Sequence, residues 1–257
     1  MILIETNLRG TVFAAVDTSG ACSSVGFARP ETAGSAPADA ELPRVAMIAI
    51  SGVDGSGKTR LAGLMLDRLA LAGIPHRQVW SRFRNYLSKP LLAVARITGH
   101  SRKEVVGKVR TGYHDFARSP LLAWGFLALH SADLVLDILI RFRLRRRGTI
   151  VADRCAIDSL VDLAVDTGLD QVVLDRLGPR ILRLLPQPLL AVVVERSPAL
   201  IAEQRPDALA DRHFARRRAL YRQLAARLGL PVVRNDTSLD AAVGELSRLL
   251  ATGGAGR

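Results

Sequence analysis

The sequence is poor in cysteine and in aromatic residues. Only two cysteines, Cys22 and Cys155, occur in 257 residues, and aromatic residues make up 5% of the chain. Two cysteines so far apart form neither a disulfide framework nor a zinc site built on paired cysteines. This usage suits a reducing cytosol, where we expect the protein to reside. No basic segment precedes an apolar run near Met1, so we do not expect a signal peptide.

The rest of the composition is that of a globular protein. Hydrophobic residues make up 49% and charged residues 23% of the chain, which is ample for a large core. The formal net charge of +12 is compatible with nucleic acid, an anionic membrane or phosphorylated substrates, and it does not choose among them. Residues 1–44 are rich in Ala, Ser, Thr and Gly. We predict that they form a mobile or loosely packed extension before a main domain at 45–257.

The longest apolar stretch, Leu121–Ile140, has nearly the length of a membrane span. His130, Asp133 and Asp137 interrupt it, and charges at that depth in a bilayer are costly. We therefore predict a long, largely buried helix. It ends in the basic run Arg141–Arg147, whose arginines complement a helix dipole at its C-terminus. Contact with nucleic acid or lipid is the alternative for this run, although it contains a single aromatic residue for base stacking.

One glycine-rich segment matches the phosphate-binding pattern of Gly, four residues, then Gly-Lys-Thr: Gly52-Val53-Asp54-Gly55-Ser56-Gly57-Lys58-Thr59. A continuous apolar run at 45–50 precedes it, and apolar residues at helical spacing follow it. Strand, glycine loop and helix is the context that the pattern requires. Backbone N–H groups of such a loop face a polyphosphate, Lys58 reaches the β- and γ-phosphates, and Thr59 holds Mg²⁺. The chain contains no Asn-Lys-x-Asp guanine signature, which argues against a GTPase.

From Val45 onward, strand-like apolar runs alternate with helical patterns. The runs lie at 45–50, 76–80, 149–152, 189–194 and 232–233. Continuous apolar runs are typical of strands that are covered on both faces, and alternation with helices indicates right-handed parallel crossovers. We predict an α/β three-layer sandwich with a five-stranded parallel sheet, of the P-loop NTPase type.

A second chemical signal is the pair Asp153-Arg154, which follows the run at 149–152. In open α/β sheets, ligands gather at the carboxyl ends of the strands, so this pair should face the same crevice as Lys58. Asp153 is a candidate Mg²⁺ ligand, and the planar guanidinium of Arg154 suits a phosphate group. An aspartate that caps a helix and pairs locally with the arginine is the alternative.

A third signal is a short polar segment at about 204–212, between two helical patterns. It is bracketed by Arg205 and Arg212. Such a segment can close over ATP as a lid and bring an arginine to the transferring phosphoryl group. We interpret the nearby Arg216–Arg218 as part of a solvated helix face.

The order of these parts resembles the thymidylate kinase family over about residues 45–251. The shared features are a phosphate loop with Asp54 at its third position, Asp153-Arg154 after the third strand, an arginine lid, and Asp236 after the fifth strand. The resemblance implies an ATP- and Mg²⁺-dependent nucleotide kinase with nucleotide substrates. It implies that Asp54, Arg154 and Ser159 bind the acceptor, that Asp236 lies near adenine, and that Arg205 or Arg212 supplies the catalytic arginine. It leaves a homodimer open.

The acceptor half departs from the family pattern. Where the family has Arg-Glu-Pro, the chain has a segment with Arg82 and Arg84, either of which could hold the acceptor phosphate. Asp162-Leu163 replaces an expected Tyr-Gln pair, and Ser131 or Ala132 stands near the place of a base-contacting arginine. We therefore expect that the protein transfers a phosphoryl group to a nucleoside monophosphate and that its thymine pocket is altered. The alternatives are a P-loop kinase acting on a non-nucleotide small molecule and a regulatory P-loop ATPase.

Overall fold

The central strand, β1 (Met47–Ser51), leads directly into the glycine-rich segment. In the computed structural model, which describes residues 45–81, 85–106, 109–144 and 148–252, β1 is buried along its whole length. It pairs in parallel with a strand on either side, and the sheet has the order β2-β5-β1-β6-β7. The other strands of this sheet are β2 (His76–Trp80), β5 (Thr149–Asp153), β6 (Leu189–Glu195) and β7 (Val232–Arg234).

Helices cover both faces of the sheet. The α-helices of the described residues are α1 (Lys58–Leu71), α2 (Lys89–Ile97), α3 (Pro120–Asp137), α4 (Ala156–Thr167), α5 (Gly178–Leu184), α6 (Pro198–Gln204), α7 (Pro206–Leu209), α8 (Phe214–Leu228) and α9 (Leu239–Ala251). Alternate residues of β1 face opposite cores: Ile48 packs with α1 and α9, whereas Ala49 packs with α3, α4 and α8. These two cores confirm the predicted α/β three-layer sandwich with five parallel strands. The predicted extension at 1–44 lies outside the described residues.

A two-stranded antiparallel sheet was not predicted. It consists of β3 (Ser101–Val106) and β4 (Val109–His114), which pair from Ser101↔His114 to Val106↔Val109. The hairpin lies between α2 and α3 in the chain. The side chains of Lys103, Lys108 and Arg110 are outside the described part of the chain. The hairpin forms a separate two-stranded sheet and does not extend the main one.

The long apolar helix α3 is buried along one side. It continues without a break into a π-helical segment, Ile138–Arg143, and together they are long and apolar enough to meet the criteria for a membrane span. The core helix of a globular protein passes the same test. The inner face carries Asp133, whose carboxylate accepts hydrogen bonds from the backbone N–H groups of Leu87 and Ser88 at 2.6 and 3.0 Å. The exposed side retains apolar residues such as Leu121 and Trp124, so the helix is less buried than predicted.

We predict that Gly148→Ala destabilises the fold, whereas Gly244→Ala stabilises it. Gly148 has a φ of +70°, and a Cβ there would overlap the carbonyl of Pro75, so alanine should cost more than about 1 kcal/mol. Gly244 lies within α9 with open space around its Cβ position, so the same change should contribute about 0.5–1 kcal/mol. Urea unfolding measures both variants. Equal midpoints for the two would contradict the close packing at Gly148.

Candidate functional site

The glycine-rich segment wraps the end of β1 because its glycines tolerate backbone angles and contacts that other residues do not. Gly52, Gly55 and Gly57 have φ values of +146°, +84° and +92°. A Cβ on Gly52 would overlap the carbonyl oxygen of Val194, and a Cβ on Gly57 would overlap the side-chain amide of Asn235. The loop is therefore shaped by close neighbours as well as by its own sequence.

Lys58 turns back over this loop from the first position of α1. Its side chain is 4% exposed, and Nζ donates hydrogen bonds of 2.6 Å to the carbonyl oxygens of both Gly52 and Val53. Nζ also lies 3.9 Å from the Asp54 carboxylate. The ammonium group is thus fixed at the mouth of the loop, where phosphate-binding loops place a cation.

Thr59 and Asp153 meet beside Lys58. Asp153 ends β5 and is 3% exposed, and the Thr59 side chain lies near its carboxylate. Burial raises the pKa of Asp153, while the nearby Thr59 hydroxyl and the Lys58 charge act in the opposite direction. Oδ1 of Asp153 is buried and has no hydrogen-bond partner among the described residues.

These two side chains fit a magnesium ion. Mg²⁺ prefers oxygen ligands, keeps several waters, and is bound through one or two carboxylates together with substrate phosphates. The Thr59 hydroxyl and the unpaired Asp153 oxygen are such ligands. The described residues contain no group of three or more His, Cys, Asp and Glu that could hold a metal ion alone. A cation at Asp153 would therefore depend on water and on phosphate oxygens for the rest of its coordination.

Arg154 and Asp54 form an ion pair across the same crevice. Arg154 has a φ of +66°, a strained conformation for a side chain of its size, and such outliers cluster at functional sites. Its backbone is held by two hydrogen bonds, from Arg154 N to the Ile50 carbonyl at 3.3 Å and from Ser81 N to the Arg154 carbonyl at 3.2 Å. The structure thus brings together four predicted site residues: Lys58, Asp153, Arg154 and Asp54.

The remaining predicted acceptor residues are Arg82, Arg84 and Ser159. Arg82 and Arg84 lie outside the described residues, so their predicted roles stay predictions. Ser159 is 6% exposed in the first turn of α4, where its N–H donates to the Cys155 carbonyl at 3.3 Å.

Cys155 is fully buried, and burial raises the pKa of its thiol to about 12, so it is a packing residue and not a nucleophile.

The sequence analysis missed the buried carboxylate of Asp158. Its Oδ2 accepts hydrogen bonds from Ser51 Oγ at 2.8 Å and from Cys155 N at 3.0 Å. Its Oδ1 accepts a hydrogen bond from the Tyr221 hydroxyl at 2.7 Å, and Arg154 lies 4.0 Å away. Asp158 therefore ties the end of β1 to α4 and α8 directly behind the crevice. Its place three residues after the helix cap is the signal that could have identified it.

A second buried carboxylate on α4 corrects our interpretation of the basic face of α8. Arg217 donates from Nε to Asp162 at 2.9 Å and also pairs with Asp211, and its side chain is only 18% exposed. Arg217 was predicted to be solvated, and this is wrong because α8 packs on α4 at this point. Asp162 stands where we expected a residue that contacts the nucleotide base, and it is instead paired with Arg217.

The two predicted lid arginines lie in different environments. Arg205 follows α6, pairs with Asp207 at 2.8 Å, and has its Cβ 3.5 Å from the Cβ position of Gly55 in the phosphate loop. Arg212 instead lies over the ring of Tyr113, with 4.0 Å from the guanidinium carbon to the ring centre. The side chain that is closer to the phosphate loop is therefore that of Arg205.

The segment after β7 contacts both the phosphate loop and the start of α6. Asn235 donates from Nδ2 to the Ser56 carbonyl at 2.9 Å, a contact that the sequence analysis did not predict. Asp236, predicted to lie near adenine, accepts a hydrogen bond of 2.6 Å from the N–H of Ser197 at the start of α6. The position of Asn235 at the carboxyl end of a parallel strand was the available signal.

A phosphate loop at the carboxyl edge of this sheet order defines an α/β protein of the P-loop NTPase type. No protein-family model and no curated protein match the chain. Among solved structures, it is similar to thymidylate kinase from Ehrlichia chaffeensis, with 13% identity, a TM-score of 0.46, and coverage of 81% of this chain and 100% of that chain. It is also similar to thymidylate kinase from Candida albicans, with 17% identity, a TM-score of 0.48, and coverage of 82% and 93%. The class assignment itself rests on the sheet order and the loop.

We predict that Asp153→Asn removes phosphoryl transfer without loss of stability. The folded-state pKa of Asp153 is raised, so the charged carboxylate costs stability above that pKa, and asparagine relieves this cost. The variant should unfold at the same or a higher temperature than the wild type at pH 7, and this difference should shrink as the pH falls. Activity should drop roughly 100-fold or more, as for other preorganised charges in active sites.

The matched control is Asp67→Asn on the exposed side of α1, which should change neither quantity. Thermal unfolding and initial rates measure the two effects separately. Full activity of Asp153→Asn would contradict a magnesium role, and a large loss of stability would contradict the unfavourable burial.

Proposed function

We propose that this chain is an ATP- and Mg²⁺-dependent kinase that transfers the γ-phosphoryl group of ATP to a nucleoside monophosphate. The observation that carries the proposal is the buried Asp153 carboxylate, which lies near Thr59 and feels the charge of the Lys58 ammonium fixed on the loop. A hydroxyl, a carboxylate and a cation grouped around a glycine loop match the requirements of a bound nucleoside triphosphate with its metal.

The donor side has a role for each residue. The N–H groups of the loop and the start of α1 face the phosphates, and Lys58 neutralises charge on the β- and γ-phosphates. Thr59 and Asp153 would hold Mg²⁺, which neutralises charge on the phosphate oxygens when it is bound. Arg205, close to Gly55, would contact the transferring group from the lid. Alignment and charge neutralisation supply most of the rate enhancement in such reactions.

The acceptor side supports a phosphate-bearing substrate. Arg154 follows β5 and is paired with Asp54 of the phosphate loop. In the proposed reaction, Arg154 binds the phosphate of the acceptor, and Asp54 contacts its sugar. The residues that would read thymine are changed, since Asp162 is bound by Arg217 and the Ser131 hydroxyl donates to its own helix at Leu127. We therefore propose an acceptor other than dTMP alone.

A kinase that acts on a non-nucleotide small molecule is the second candidate function. The changed thymine-reading residues favour it as well, because the ATP-binding residues would serve any acceptor. A regulatory P-loop ATPase would hydrolyse ATP without any acceptor. Measured ADP release with and without each acceptor separates these functions.

We predict acceptor-dependent ADP release by the wild type and none by Lys58→Met. A coupled assay would test a panel of nucleoside monophosphates, sugars and other hydroxyl compounds with Mg²⁺ present. We expect at least one monophosphate to stimulate release, with dTMP poor or one of several. Lys58→Met should remove this stimulation because the ammonium group serves the phosphates. Stimulation by sugars only, or hydrolysis that no acceptor changes, would contradict the proposal.

We predict that Arg205→Ala lowers kcat by at least ~100-fold, since an arginine supplied to the phosphoryl group is worth roughly 10³–10⁵ in rate. The KM for ATP should change little, because the arginine acts as charge develops. Arg227→Ala is the control, since Arg227 forms a similar exposed ion pair, with Asp175, at the far end of α8. Single-turnover kinetics measures the chemical step. Normal turnover of Arg205→Ala would remove Arg205 from the proposed mechanism.

A further inference from the structure

The β3–β4 hairpin contacts the far end of the lid. The hydroxyl of Tyr113, on β4, donates a hydrogen bond of 3.1 Å to Oδ1 of Asp211, and Tyr113 is 3% exposed. The guanidinium of Arg212 covers the ring of Tyr113 and lies 3.4 Å from the carboxylate of Glu104 on β3. The ring of His213 meets the same tyrosine edge-on at 5.5 Å. Asp211 and Arg212 at the end of the lid, and the adjacent His213, thus all contact one hairpin tyrosine.

Asp211 is also held from the opposite side. Its Oδ2 pairs with Arg217 of α8, and Arg217 is bound by Asp162 of α4. The Asp211 carboxylate is therefore shared between the hairpin and the helical layer of the main domain. Hydrogen bonds to a charged group are stronger than those between neutral groups, so this contact is a firm attachment point.

A series of backbone hydrogen bonds leads from Asp211 to Ile201, which packs against the phosphate loop. Asp211 N donates to the Ala208 carbonyl at 3.4 Å, and Ala208 N donates to the Arg205 carbonyl at 3.0 Å. Arg205 N donates to the Ile201 carbonyl at 2.7 Å. Ile201 is buried, and its Cγ2 lies 2.7 Å from the Cβ position of Gly55. The segment that carries Arg205 is thus attached at both ends.

We propose that the β3–β4 hairpin is a lid anchor and that Tyr113 is a positioning residue that places Arg205 over the phosphate loop. Tyr113 acts through its hydrogen bond to Asp211, and Arg212 serves this attachment instead of the reaction. The proposal rests on the proposed kinase function for its effect on turnover. The anchor itself is a property of the lid that can be measured without any substrate.

The test compares Tyr113→Phe with the wild type. Phenylalanine keeps the ring under Arg212 and removes only the hydroxyl. Hydrogen–deuterium exchange of the lid amides, including those of Arg205 and Ala208, should be roughly tenfold faster in the variant, the effect of one hydrogen bond to a charged group. Exchange in β1 and β5 should stay unchanged. Tyr86→Phe is the control, since Tyr86 is 38% exposed and its hydroxyl makes no hydrogen bond within the described part of the chain.

Kinetics supplies the second readout. Tyr113→Phe should lower kcat roughly tenfold with an unchanged KM for ATP, and the double variant with Arg205→Ala should be no slower than Arg205→Ala alone. Unchanged lid exchange would overturn the anchor, and faster exchange throughout the sheet would reduce Tyr113 to a general packing residue. Additive losses in the double variant would overturn positioning through Arg205. Faster lid exchange in a protein that phosphorylates no acceptor would support the anchor and contradict the kinase function.

Discussion

The close packing around the phosphate loop is the constraint on which the rest of the structure depends. Three backbone positions at positive φ let β6, α6 and the segment after β7 approach the loop at Gly52, Gly55 and Gly57. A side chain at any of these positions would push a neighbouring element away. The phosphate loop, the lid and the segment after β7 are therefore positioned together. The ammonium of Lys58 is held on the carbonyls of this loop.

Buried carboxylates organise the layer behind the crevice. Asp158 and Asp162 lie one helical turn apart on α4 and receive Tyr221 and Arg217, which lie one turn apart on α8. Burial of a charge is costly unless it is paired, so each carboxylate requires its partner helix in place. Asp153, by contrast, keeps one buried oxygen without a hydrogen-bond partner among the described residues, and it is the carboxylate at the candidate magnesium site. A buried, unpaired carboxylate lowers stability, and proteins retain such unfavourable groups at functional sites.

The donor and acceptor halves differ in how closely they match a nucleotide kinase. The proposed donor half has its lysine, hydroxyl and carboxylate grouped around the loop. In the proposed acceptor half, Asp54 pairs with Arg154, and Asp162 is bound by Arg217. In the proposed kinase, an acceptor would have to compete with these internal pairs, so its choice would depend on charge as well as on shape.

The sequence by itself determined the sheet, the phosphate loop and the grouping of Lys58, Thr59, Asp153 and Arg154. Continuous apolar runs are a local signal, and parallel strands bring their carboxyl ends to one edge whatever the details of packing. Only the tertiary structure decided the burial of Asp158, the pairing of Arg217 and the reach of Asn235 to Ser56, because each joins residues far apart in the chain. It also separated Arg205 from Arg212, since the hairpin tyrosine that holds Arg212 lies about a hundred residues earlier in the sequence and no local pattern records that contact.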